Sequence, residues 1–257
     1  MTTTSSASQS TVQVSSSHFY FWSALTCAAV AFLGFTPTYF RPLAQGSFAA
    51  HPIVHIHGIV FFSWTLFFTY QAWLVANGRT MRHREIGLIG ISFATAMIFL
   101  GLLVAVESAT RAGALGFLSE AKQFMVVPVA GITMFAVLFA FAIAYVKNKD
   151  VHKRLMLVAT ASILDAAVAR WFMTFLAPPL APGDSPVPTV AVALPPAMLV
   201  DLIIIAGIVH DWRTRGRPHP AYLIAGGAVL VQQLLRAPAS TTAVWDGIAV
   251  WLMHVSG

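Results

Sequence analysis

The sequence predicts an all-α, polytopic membrane protein with a bundle of seven transmembrane helices, and three observations support this fold class. Apolar residues make up 58% of the 257 residues, and only 9% are charged, against about 25% in an ordinary soluble domain. The apolar residues form seven runs, each close to the ~20 residues that cross a bilayer. Most basic residues lie between alternate runs. A soluble single domain and a nucleic-acid-binding protein are excluded, because so few charged side chains cannot cover a water-facing surface.

The elements follow in order along the chain. Residues 1–18 are rich in Ser and Thr and predict a disordered cytoplasmic tail, which lacks the basic region of a secretory signal. Residues 19–240 form the transmembrane domain, and residues 241–257 form an outer segment with a short interfacial helix anchored by Trp. The seven spans are predicted at 19–40, 52–76, 85–106, 123–146, 154–177, 188–209 and 220–238.

The basic residues predict the orientation. Loops 77–84, 147–154 and 210–219 carry ten of the 15 Lys and Arg residues. With seven spans these loops share one side, and the positive-inside rule makes that side cytoplasmic. We therefore expect a bacterial inner-membrane protein with its N-terminus in the cytoplasm and its C-terminus outside.

Spans two to seven read as three helical hairpins, with the first span added outside them. Each hairpin has a basic turn with a His just before the next span: His83, His152 and His219. The spacings, 69 and 67 residues by subtraction, suggest a weak internal repeat.

Three charged residues within the spans are candidates for chemistry. Asp165 and Arg170 interrupt the fifth span, and Arg236 lies in the seventh. Each costs about 2.5–3.5 kcal/mol at mid-span, and such residues mark function by default, although structural ion pairs are common. Arg170 and Arg236 both lie about 24 Å from the cytoplasmic ends of their spans, which predicts two cations that converge on one anion. Asp165 is then a proton relay or an orienting group.

Histidines supply the candidate ligands for a cofactor. His51 and His55 are four residues apart on one face of the second span, where they could hold one metal ion. His57 points the other way, on a stripe with Phe61, Trp64, Phe68 and Gln71. The alternative is a set of interfacial histidines bonded to head groups or loops.

His83 and His152 form a second candidate pair, on the cytoplasmic side. Facing each other, they could clamp a haem iron, with the neighbouring cations on the propionates. The alternative is a basic face that binds anionic lipid head groups. The single Cys27 leaves neither a disulfide framework nor a thiolate metal site.

The motifs HIHG and HREIG of spans two and three, and HKRLM before span five, carry a family resemblance. The chain resembles a group of uncharacterised bacterial multi-pass membrane proteins over spans one to five. A looser likeness is to the b-type membrane cytochromes of the ascorbate-reducing kind, which implies paired axial histidines on a helical bundle. Those proteins place ligand pairs on separate helices at both membrane sides, whereas the outer histidines here crowd on one span.

Three hypotheses of function follow. The first is an inner-membrane redox protein with a b-type haem, an iron or another transition metal, and an outward-facing pocket lined by His and Arg. Its partners would be membrane lipids, a quinone or another redox subunit. The second is a cofactor-free transporter or binding protein for a small anion or a lipid. The third is an accessory subunit of a membrane complex.

Overall fold

The structure, a computed structural model, describes the backbone of residues 4–181 and 183–256 and the side chains of residues 18–181 and 183–255. Throughout these residues the chain is helical or irregular, without a strand. The α-helices are α1 Thr4–Phe35, α2 Arg41–Ala44, α3 Pro52–Ala76, α4 Thr80–Gly87, α5 Ile89–Ala114, α6 Leu118–Phe124, α7 Val126–Ala144, α8 Lys149–Ala161, α9 Asp165–Phe175, α10 Leu194–Arg215, α11 Pro220–Ser240 and α12 Ala243–Ser256.

The predicted all-α polytopic bundle is confirmed. Within the described residues, six helical segments are long and apolar enough to cross a membrane: His18–Ala44, Pro52–Ala76, Ile89–Ala114, Leu118–Ala144, Lys149–Phe175 and Val190–Arg215. The seventh predicted span is the helix α11, which has the length of a span but carries Gln232, Gln233 and Arg236. Large apolar side chains such as Ile59, Phe99 and Ile224 are exposed, as on a lipid-facing surface.

Local sequence sets the helix ends. The helices α3 and α11 both begin with a His-Pro pair, and in each the His side chain caps the helix while Pro fills its first turn. Gly78 and Gly216 have φ of 73° and 74°, a left-handed conformation that ends α3 and α10 at negligible steric cost.

Close packing joins the first helix to the bundle. The helix α1 packs on α3 and α9. A Cβ atom at Gly34 would lie 2.5 Å from the carbonyl oxygen of Ala167, so only Gly permits this approach of α1 to α9. The main core centres on Trp64, whose ring meets the edges of Phe135 and Phe139 at centroid distances of 5.3 and 5.7 Å.

Both ends of the chain differ in detail from the prediction. The helix α1 begins at Thr4, where a disordered tail was predicted over residues 1–18, because extending an existing helix costs little per residue. Residues 1–3 lie outside the described residues. The helix α12, predicted to be anchored at the interface by Trp, buries Trp245 and Ala249 against α5 and α6 and leaves Ile248 and Trp251 exposed.

Candidate functional site

Two ends of the bundle carry different polar groups. We call the end with loops 77–79, 145–148 and 216–219 the basic face, and the end with loops 45–51, 115–117, 176–189 and 241–242 the opposite face. The hairpins place the ends of all the long helices at one face or the other. The candidate residues therefore divide into two groups.

A fully buried ion pair organises the basic face. Arg154 donates from Nε and Nη2 to both carboxylate oxygens of Asp211, at 2.7 and 2.5 Å, and each side chain is 1% exposed. Its Nη1 donates to the carbonyl and the carboxylate of Asp150 at 2.6 and 3.0 Å. This fork uses all three guanidinium nitrogens and joins α8 to α10.

The surrounding groups complete the pair. Asp150 also accepts from Lys153 at 3.0 Å and from Arg215 at 3.3 Å. The backbone N–H of His219 donates to Asp211 at 3.3 Å, and the Arg154 guanidinium lies 5.8 Å from the ring centre of Tyr222. The sequence prediction missed this pair, because Asp211 lies next to the basic loop and reads as a surface residue. The sequence signal that could have revealed the pair is the position of Asp211, four residues before the last residue of α10, Arg215, and therefore within the helix and not in the loop.

His83 and His152 lie near each other at the basic face. The Nδ1 atom of His152 lies 2.8 Å from the carbonyl oxygen of Ala142. The His83 ring interacts with the backbone of Gln71 and, electrostatically, with the His152 ring. Its Nδ1 atom is buried without a hydrogen-bond partner in the described structure. Burial lowers the pKa of His83, and His152 and Arg84 lower it further against the opposing effect of the Gln71 carbonyl. Each ring thus has one nitrogen held by the backbone.

His51 and His55 are held by local contacts at the opposite face. His51 accepts from the backbone N–H of Ile53 at 3.4 Å and caps α3. The Nδ1 atom of His55 lies 3.0 Å from the Tyr39 hydroxyl, which the sequence analysis did not single out. The part of the chain that the structure describes has no group of three His, Cys, Asp or Glu side chains placed to hold a metal. A metal on His51 and His55 would lack a third such ligand, and the site stays a prediction.

The predicted stripe on α3 faces the interior, and three of its side chains have polar atoms without a hydrogen-bond partner in the described structure. Trp64 and Gln71 are 1% and 7% exposed. Within the described residues, His57 Nδ1, Trp64 Nε1 and both amide atoms of Gln71 are buried without a hydrogen bond. The three residues are spaced by seven, so they lie on one face of α3 at intervals of about 10 Å. Unpartnered polar groups at such depth are costly, typically about 1–3 kcal/mol each.

Asp165 and Arg236 form an ion pair between α9 and α11. Arg236 donates from Nη1 to Asp165 at 2.7 Å and from Nη2 to Gln232 at 3.2 Å, and its side chain is 4% exposed. Beside the pair, Gln233 donates to Asp201 at 3.1 Å. Asp165 is therefore the ion-pair partner of Arg236. Arg236 was expected to converge with Arg170 on one anion, but it binds this protein carboxylate instead.

Arg170 lies on another side of α9. Its guanidinium lies 5.5 Å from the ring centre of Phe35 on α1, and it acts electrostatically on His57 of α3. Across the described chain no carboxylate lies within ion-pair distance of Arg170. The structure thus brings Asp165 into contact with Arg236, whereas Arg170 and His57, and likewise His83 and His152, lie within electrostatic range of each other.

Comparisons with known proteins leave the resemblance untested. No protein-family model matches the chain, and no curated protein or solved structure matches it either. The likeness to bacterial multi-pass membrane proteins and to b-type cytochromes therefore stays a prediction.

Proposed function

We propose that this multi-pass membrane protein is a cofactor-free transporter for a small anion, set in a bacterial inner membrane with its basic face toward the cytoplasm. One observation carries the proposal. Arg154 and Arg236 are each paired with a carboxylate, and in the described residues Arg170 has none.

An unpaired guanidinium within a span needs an acceptor. Arg cannot lose its proton at any physiological pH, and burying its charge within a span is costly. The Phe35 ring offers only a weak cation–π contact at 5.5 Å. A small anion beside Arg170 would supply the missing charge and accept from the planar guanidinium fork.

The stripe on α3 favours transport over simple binding. His57, Trp64 and Gln71 continue from the Arg170 region toward the basic face, and each has a buried polar atom without a partner in the described structure. In a conformation that opens the packing around Trp64, such atoms would bind water or a passing ion in turn and so form a narrow path. From His57 to Gln71 this path covers about 21 Å, most of the ~30 Å hydrocarbon core.

Arg170→Leu tests the proposal directly. Chloride, inorganic phosphate and acetate are titrated separately into the protein in lipid nanodiscs, and their uptake into proteoliposomes is measured. We expect Arg170→Leu to abolish binding and uptake of the preferred anion, and Arg170→Lys to restore them only in part because it lacks the planar fork. Arg111→Leu, an exposed Arg on α5, is the matched control. Unchanged uptake by Arg170→Leu contradicts the proposal.

The proposed orientation has its own test. Cysteines placed at Gln45 and Thr80 should react with a membrane-impermeant reagent from outside and from inside the cell, respectively, because the basic face is cytoplasmic. The native Cys27 is buried and should stay silent. Labelling of position 80 from outside would reverse the assignment.

One observation favours the redox function as a second candidate. His83 and His152 each have one ring nitrogen held by the backbone, which is how histidine ligands of metals are usually oriented. A haem or another metal centre held there would exchange electrons with a quinone or a redox subunit. A visible spectrum with metal analysis decides: a Soret band lost in His83→Ala supports this candidate, and a colourless, metal-free, folded protein rejects it.

A further inference from the structure

Two adjoining cavities lie where α12 crosses the bundle at the opposite face. The first has a volume of about 310 Å³ and a polar lining that includes Ser119, Lys122, Gln123, Thr241, Thr242 and Asp246. The second has a volume of about 410 Å³ and is lined mainly by apolar side chains of α7, with Gln232 of α11 and Ile248 of α12. Trp245 lines both cavities. A polar space and an apolar space thus share one wall.

The shared wall is fixed in place. Trp245 is 8% exposed, and its indole N–H donates to the carbonyl oxygen of Lys122 at 2.7 Å. Its backbone N–H donates to the Thr242 hydroxyl at 3.2 Å. Ala249, one helical turn further on, is fully buried, so α12 is held firmly across the cleft. The two cavities therefore keep their relative position.

The polar cavity carries one charge of each sign. Lys122 and Asp246 form an ion pair with side chains that are 21% and 57% exposed. Ser119 and Gln123 are exposed beside Lys122, which gives an ammonium, a hydroxyl and an amide on one wall. The hydroxyls of Thr241 and Thr242, which line the cavity, donate to the carbonyls of Pro238 and Ala239, so their oxygens can act only as acceptors toward a ligand. Donors for an anion and acceptors for a cation face the same small space.

We propose that these two cavities bind one phospholipid with a zwitterionic head group that carries a phosphate and a primary amine. The half-exposed Lys122–Asp246 ion pair opens to admit the head group. The phosphate then takes the Lys122 ammonium with Ser119 and Gln123, and the amine takes the Asp246 carboxylate, so one ion pair is exchanged for two. One acyl chain enters the apolar cavity beneath α12. An anionic head group or a fatty acid would compete with Asp246 for the Lys122 ammonium and, having no amine, would leave the Asp246 carboxylate without a cation.

The site is independent of Arg170 and of the histidines, so the test does not depend on the proposed function. The protein is purified in detergent, stripped of lipid, and titrated separately with phosphatidylethanolamine, phosphatidylglycerol and oleate, with binding read by native mass spectrometry. We expect one molecule of phosphatidylethanolamine to bind about tenfold more tightly than the other two, the value of one charge-assisted contact.

Two variants separate the head from the chain. Asp246→Asn should remove the advantage of phosphatidylethanolamine over phosphatidylglycerol, because the amine loses its carboxylate while the released Lys122 ammonium stays available to the phosphate of both lipids. Ala130→Phe should weaken every lipid by filling the apolar cavity, and Ala140→Phe, an exposed site on the same helix, should not. Equal binding of the three lipids by the original protein, or full binding by Ala130→Phe, overturns the proposal. If Asp246→Asn or Ala130→Phe aggregates on size-exclusion chromatography, Lys122→Met takes its place. We expect Lys122→Met to bind both phospholipids more weakly than the original protein.

Discussion

The two ends of the bundle treat buried cations in opposite ways. At the basic face Arg154 has a carboxylate fork on Asp211 and further contacts to Asp150, so all its nitrogens are paired. Toward the opposite face Arg170 has an aromatic ring and no carboxylate in the described residues. Burying either guanidinium costs free energy, but only for Arg154 do carboxylates of the same chain offset that cost. The comparison teaches that a buried charge indicates ligand binding when its partner is missing, and structure when its partner is present.

Removing Arg154 should produce the largest loss of stability. Arg154→Met leaves Asp211 buried without its cation, and we expect the free energy of unfolding to fall by about 3–5 kcal/mol. Unfolding in mixed detergent micelles measures it, with the exposed Arg213→Met as control. Adding Asp211→Leu to Arg154→Met should recover most of the loss. A double variant as unstable as the single one would show that the pair is not the cause.

Breaking the second ion pair should have a smaller effect. Asp165→Asn keeps an acceptor oxygen for Arg236 but removes the charge, so we expect a loss of about 1.5–3 kcal/mol in the same unfolding assay. Glu120→Gln, an exposed carboxylate on α6, serves as control. If Asp165→Asn is as stable as the original chain, Arg236 has a second acceptor and resembles Arg170 more than Arg154.

The cap of α11 should make stability depend on pH. Burial, Arg154 and Arg215 lower the pKa of His219, and its neutral Nδ1 accepts from the Ala221 N–H at 3.1 Å. Because the folded-state pKa is the lower one, this stability is present above about pH 6.5 and is lost as the pH falls below it. His219→Asn keeps a cap that does not titrate. We expect the thermal midpoint of His219→Asn to fall less between pH 7 and pH 5 than that of the original protein. Parallel curves for the two proteins would exclude His219 as the titrating group.

Removing Arg170 should have the smallest effect on stability. Arg170→Leu takes away a costly charge and leaves no carboxylate unpaired, so we expect a change within about 0.5 kcal/mol, or a gain. The same unfolding assay measures it. A loss as large as that of Arg154→Met would mean that Arg170 is a structural group and would end the comparison between the two ends.

Helix positions follow from sequence more readily than side-chain partners. The second span was predicted at 52–76 and α3 is Pro52–Ala76, because Pro52 starts the helix and Asn77-Gly78 stops it. The third span was predicted to begin at 85, whereas α5 begins at Ile89, because α4 takes the residues up to Gly87 at the basic face. The bounds of α3 were predicted correctly because residues that start and stop a helix flank it, and the start of α5 was not because it lacks such a residue.

The candidate pairs were harder to predict, because the rise per residue gives the depth of a side chain along the helix axis but not the neighbouring helix that it faces. Arg170 and Arg236 were matched by depth, yet they lie on different sides of α9, and Asp165 reaches Arg236 instead. The α3 stripe was predicted correctly, since a period of seven defines one helical face without reference to neighbours. The absence of partners for His57 and Gln71 needed the packed structure.

The Arg154–Asp211 pair also sets a delay during synthesis. Asp211 follows Arg154 by 57 residues, so at 5–20 residues per second the cation precedes its partner by roughly 3–11 s. In that interval the fifth helix is already emerging into the membrane, and Arg154 lies close enough to its end to reach the phosphate layer. Its final burial then waits for the sixth helix, which makes the docking of α8 against α10 a late event in the biogenesis of this protein.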